Sequence, residues 1–124
     1  FVLTSDGKIS LDALGNMMGV SRYRNEPVEL LTLSACQTAA GDDRAALGLA
    51  GVAVKAGARS ALASLWFIND PASADLVTEF YRQLKKPGTS KAKALQQAQW
   101  LLLNDERYEH PGYWAPFLMI GNWL

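Results

Sequence analysis

Apolar positions along the chain fall into two kinds of run. Val28–Ala35 (VELLTLSA) and Ala58–Ile68 (ARSALASLWFI) are nearly continuous, as strands buried on both faces of a parallel sheet are. Between and after them, apolar residues recur at the three- and four-residue spacing of amphipathic helices. Leu47, Leu49, Ala50, Ala53 and Val54 make such a stripe over Ala45–Ala56, and Gly57 suits its carboxyl end. Gly48 and Gly51 on that helix predict close packing against a sheet. Leu76, Val77, Phe80, Tyr81 and Leu84 make a second stripe. Asn69 or Asp70 can cap it, Pro71 fits its first turn, and Lys85 and Lys86 suit its negative end before Pro87-Gly88. A third helix starts at Thr89 or Ser90, with Ala94, Leu95, Ala98, Leu101 and Leu102 inward.

The ends of the chain follow the same logic. Phe1–Thr4, a Ser5-Asp6-Gly7 turn and Lys8-Ile9 predict a small hairpin. Ser10 can cap a short helix through Leu14 that stops near Gly15, and Gly19 to Pro27 reads as a polar loop. Asn104 to Gly112 is a second polar loop, and Ala115–Ile120 is a last strand closed by Gly121. Trp66, Trp100, Trp114 and Trp123 lie in apolar segments and are expected in the core. The order strand, helix, strand, two helices, strand predicts an α/β fold with a sheet covered on both faces. A right-handed crossover makes the two long strands parallel.

Composition narrows the function. The 124 residues suffice for one domain or part of one, and the chain is 49% apolar and 19% charged, as soluble globular proteins are. Twelve basic residues balance twelve acidic ones, so the basic excess that nucleic-acid binding needs is missing. No apolar run reaches the length of a membrane span, and no charge block points to a membrane surface. A single cysteine excludes an internal disulfide and fits a reducing compartment, hence the cytoplasm. The first residue is Phe1 rather than Met, as expected of a partial domain. Neither a cofactor loop nor a metal motif is present in the sequence, so no cofactor is expected.

Ligands of open α/β sheets collect beyond the carboxyl ends of the strands. Cys36 follows the first long strand, while Asn69 and Asp70 follow the second, so parallel strands would set all three on one rim. A lone cysteine at a strand end is more often a small buried hydrophobe than a nucleophile. Here Gln37, Thr38 and the Gly41-Asp42-Asp43 loop turn the thiol toward solvent. A thiol nucleophile needs help to ionise, ordinarily from a histidine. His110, the single histidine, stands in a loop before the last strand, and such loop histidines are common on surfaces. On local grounds Asp70 is a helix cap.

The stretch Leu31-Thr32-Leu33-Ser34-Ala35-Cys36-Gln37-Thr38 resembles the nucleophile segment of CHAT domains, caspase-like cysteine peptidase domains often attached to helical repeats in bacteria. Gly48-Leu49-Ala50-Gly51 with Lys55-Ala56-Gly57-Ala58 is similar to the family's glycine-bearing helix. Ala63-Ser64-Leu65-Trp66 with Asp70 is similar to its next strand and loop, and His110-Pro111, Tyr113-Trp114-Ala115 and Phe117 to its closing segment. The resemblance implies a caspase-like three-layer sandwich with a mostly parallel sheet. It implies peptide-bond hydrolysis through a Cys36 thioester, with Gln37, Asn69 and Asp70 on the substrate rim. The family's histidine-glycine motif lies upstream of the cysteine, and residues 1 to 35 contain no histidine. The resemblance thus predicts a chain inactive by itself. Its apolar strand at 28–35 is too sticky for a free edge and expects a complementing N-terminal segment or a second copy. A catalytically silent interaction or scaffold domain of the same fold is the alternative.

Overall fold

A computed structural model describes residues 2–4, 7–22, 27–33, 44–55, 57–66 and 70–124. The chain opens with the hairpin β1 (Val2–Thr4) and β2 (Gly7–Ile9), paired antiparallel. Ser10 Oγ then accepts the Ala13 N–H at 3.0 Å and caps α1, Leu11–Arg22. The helix runs through Gly15 and Gly19 and does not stop at the first. An interior glycine costs about 1 kcal/mol, and packing offsets it here: Leu14 is buried, and a Cβ on Gly15 would already touch Val52 at 3.9 Å.

The central sheet has three strands in the order β3 (Leu31–Leu33), β4 (Ser60–Ser64), β5 (Phe117–Gly121). Strand β3 is parallel to β4, with Leu31, Thr32 and Leu33 opposite Ala61, Leu62 and Ala63. Both strands are shorter than their apolar runs. Before β3 the chain is still tied down, since Arg59 N–H donates to Val28 O at 2.8 Å and Ser60 Oγ donates to Glu29 O.

Every residue of β4 is buried, which fits a strand paired on both edges and covered on both faces. Its side chains alternate as a pleat requires. Leu62 joins Phe117 under α3 (Asp70–Leu84) and α4 (Lys91–Leu103), in a core with Leu76, Phe80, Ala98 and Leu102. Ala61 and Ala63 face the other way, with Leu33, Leu14, and Ala50 and Ala53 of α2 (Arg44–Lys55). Helix α2 ends as its sequence predicts. Gly57 has φ +114°, its N–H bonds to Val54 O at 3.1 Å, and the Ala58 N–H reaches Ala53 O at 3.0 Å.

Strand β5 departs from a mostly parallel sheet: it runs antiparallel to β4. Two helices, rather than one, separate these strands. Helix α3 leaves the carboxyl end of β4, and α4 returns the chain to it, so β5 starts where β4 stops. The opposite end of the sheet carries the markers of this path. Ser90 Oγ accepts the Lys93 N–H at 3.2 Å and caps α4. The buried Lys91 ammonium lies beside Glu29 at 3.8 Å and donates to the carbonyls of Asn122 (3.2 Å) and Leu124 (3.0 Å).

Three expectations of burial fail. A Cβ on Gly51 would meet nothing within 4 Å, so this glycine does not serve close packing. Leu101 is exposed, because at 100° per residue Leu101, Leu102 and Leu103 cannot all face inward, and Leu102 takes the core. Trp66, Trp100 and Trp123 are 42%, 61% and 55% exposed, and Trp114 is half-buried. The first of these lies beside the rim of the sheet.

Candidate functional site at the carboxyl end of the sheet

The parallel pairing of β3 and β4 brings their carboxyl ends to one rim, and the antiparallel β5 begins there too, with Phe117 opposite Ser64. Helix α3 starts from the same side at Asp70. The connection into β5 therefore lies against the rim. Leu65 N–H donates to Pro116 O at 3.0 Å, and the Trp66 indole N–H donates to Gly112 O at 3.2 Å.

His110 belongs to this connection. It caps a short 3₁₀ turn, Pro111–Tyr113, where its Nδ1 accepts the Gly112 N–H at 3.0 Å. An imidazole nitrogen that accepts a hydrogen bond carries no proton, so the neutral ring holds its proton on Nε2. The Nδ1 lone pair is thus occupied within the turn. The cap explains this histidine better than catalysis does.

The sequence-predicted site residues divide by position. Cys36 and Gln37 lie between β3 and α2, and Asn69 lies just before α3; all three fall outside the described residues. Asp70 is the first residue of α3, which agrees with the start predicted for that helix. Among the described residues no group of three histidines, cysteines or carboxylates could hold a metal, and no helix is long and apolar enough to cross a membrane. Among the described residues a cluster of ion pairs lies past the end of α4. Arg107 Nη2 meets Asp105 Oδ2 at 2.7 Å and Asp75 Oδ2 at 3.7 Å, with the guanidinium 4.8 Å from the Tyr108 ring centre. The Arg107 side-chain hydrogen bond, aided by its backbone N–H, holds the Asp105 carboxyl below its ordinary value, while Asp105 raises Arg107 further. This cluster ties a turn to α3 and is structural.

Sequence reasoning assigned Trp66 to the core and so missed it as a rim residue. The signal was available: an amphipathic ring at the carboxyl end of a strand, in front of a helix cap, sits where a side chain leaves the core.

The CHAT domain model matches residues 1–122.

The chain belongs to the CHAT family.

A curated relative, human tetratricopeptide repeat protein 28, is 31% identical over 98 residues, which cover 77% of this CHAT chain and 4% of the relative. The chain therefore spans a small part of that protein's length. A human relative also means that likeness to this domain reaches beyond bacteria. No solved structure matches the chain at a significant level. The mixed α/β architecture thus stands on the strands and helices themselves, with helices on both faces of a small mixed sheet.

Proposed function

We propose that this CHAT domain is the nucleophile-bearing part of a caspase-like cysteine endopeptidase, with Cys36 as the attacking group. The observation that carries this reading is the parallel β3–β4 ladder. Leu33 pairs with Ala63, so β3 and β4 end on one side of the sheet, with Cys36 following the first end in the sequence and Asn69 and Asp70 the second. The family match over residues 1–122 supports the peptidase-related reading of the domain.

The chemistry follows from the sulfur. The Cys36 thiolate attacks the scissile carbonyl carbon. The carbonyl oxygen takes the charge and is stabilised by the Cys36 backbone N–H. The C–N bond breaks, the amine leaves with a proton from a histidine, and the acyl group remains on sulfur as a thioester. Water, deprotonated by the same histidine, then releases the acid and restores the thiol. Gln37, Asn69 and Asp70 are assigned to substrate binding. His110 caps a turn and does not match the family's histidine motif. That motif lies upstream of the cysteine, where residues 1 to 35 hold no histidine, so this reading needs a histidine from a complementing segment. The segment that brings it also covers the β3 edge, which among the described residues pairs with β4 alone.

Labelling tests this directly. A peptidyl acyloxymethyl ketone applied to the full-length protein is expected to mark Cys36, and Cys36→Ala abolishes the mark. Equal labelling of the variant overturns the assignment. Residues 1–124 alone are expected to turn over peptides negligibly, with turnover appearing once the histidine-bearing segment is present. A full-length protein that neither labels nor cleaves would be the silent scaffold of the same fold.

A further inference from the structure

Helix α4 ends against electrostatic preference. The carboxyl end of a helix carries partial negative charge and is ordinarily met by a cation. Helices α2 and α3 obey this, with Lys55 and Arg82 in their last turns. Helix α4 has no basic residue in its last turn, and Asp105 and Glu106 come directly after its cap residue Asn104. Arg107 does not restore the balance, because its guanidinium is taken up by Asp105 at 2.7 Å and Asp75 at 3.7 Å. Glu106 is exposed and, among the described residues, makes no hydrogen bond or ion pair. Negative charge is left uncompensated at this end.

The outer side of the same helix end is apolar. Trp100 and Leu101 are 61% and 44% exposed. An open groove of about 710 Å³ runs beside them, lined by Trp100, Leu101, Asn104, Asp105, Glu106 and Arg107. Its frame is tied down: Asn104 Nδ2 donates to Trp100 O at 2.7 Å, and Arg107 links the turn to Asp75 of α3. This combination restricts the occupant. Like-charge repulsion disfavours nucleic acid and anionic membrane. A small molecule would keep much of its surface in water, whereas small-ligand sites bury most of theirs. A polypeptide can spread its contacts along the helix and supply an apolar side chain together with a cation.

We propose that this groove docks a partner polypeptide that carries an arginine or lysine within about four residues of a leucine- or phenylalanine-sized side chain. The apolar side chain lies on Trp100 and Leu101. The cation meets Glu106 and the carbonyl end of α4, and its stem covers the indole. The site uses residues of α4 and the turn after it alone and is independent of the peptidase reading.

Random peptides displayed on phage are selected on the full-length protein, with Trp100→Ser as counter-selection. Enriched peptides are expected to pair a basic residue with a bulky apolar one. A synthetic copy of one, titrated by fluorescence anisotropy, is expected to bind Trp100→Ser about tenfold more weakly, as loss of a tryptophan anchor does. Glu106→Lys weakens it about threefold, the scale of an exposed ion pair. A peptide whose cation is replaced by glutamate reverses that order and prefers Glu106→Lys. Both substitutions are at exposed positions, and unchanged unfolding midpoints check that the fold is kept. No enrichment, enriched peptides without a basic residue, or equal binding to Trp100→Ser each overturns the proposal. So does self-association that Trp100→Ser abolishes, because a second copy then fills the groove.

Discussion

Gly121 and Gly51 are the same residue type in opposite circumstances. Gly121 has φ +92°, and a Cβ there would sit 2.5 Å from the Arg59 carbonyl, which also accepts the Asn122 N–H. The close approach is to backbone, so a side chain cannot be accommodated by a rotamer change. Gly121→Ala is expected to destabilise by more than the roughly 1–2 kcal/mol of left-handed strain alone. Gly51 is exposed within α2 and has open space around its would-be Cβ. Gly51→Ala is therefore expected to stabilise by about 0.4–1 kcal/mol, through a less disordered unfolded chain and better helix propensity. Urea titrations of the two variants check the signs: a stabilising Gly121→Ala would contradict the first assignment, and a destabilising Gly51→Ala the second. The sequence foretold the role of Gly121 as a strand terminator. It misjudged Gly51, because glycine spacing on a helix does not say which face the spacing occupies.

At the level of single elements, most starts and stops were legible because they are written in local hydrogen bonds. Ser10 and Ser90 cap their helices with the predicted oxygens, and Gly57 closes α2. The length of α1 was not legible. Its glycines argue for an early stop, and only packing against α2 overrides them. The direction of β5 was equally hidden, since strand periodicity carries no polarity and depends on how many helices precede it. The turn after α4 carries a pH-dependent contact. Asp105 has a folded value lowered from 3.8 by Arg107. A lowered carboxylate stabilises the fold above its ordinary range and loses that contribution as pH falls through the lowered value. The Asp105 carboxyl resonance is thus expected to titrate below 3.8, moving upward in high salt and in Arg107→Gln. A midpoint at the ordinary value would refute the contact. The pair is exposed, so its effect on overall stability is small.

Across the whole molecule, stability centres on β4, the strand with neighbours on both edges and helices above and below. Its inward residues are small: Ala61 and Ala63 toward α2, and Ser60 and Ser64 at the ends, with Leu62 alone reaching toward α3 and α4. Ala61→Leu is expected to destabilise by about 1–3 kcal/mol through overpacking, read as a lower urea midpoint with an unchanged slope. A neutral result would mean that room exists beside α2. The same layering accounts for what the sequence could tell of the candidate site. Continuous apolar runs marked the two strands whose ends form the rim, although only β4 is buried throughout and β3, paired with β4 alone among the described residues, is mostly half-buried. The exposed Trp66 escaped notice, because hydrophobicity does not reveal which side of a strand terminus a ring will occupy.

The narrowness of β4 has a consequence over longer times. With methyls and hydroxyls where other strands carry branched chains, it leaves inheritance almost no synonyms at those positions. The fold is expected to bear substitutions more easily at exposed helix positions such as Gly51 of α2 and Trp100 of α4.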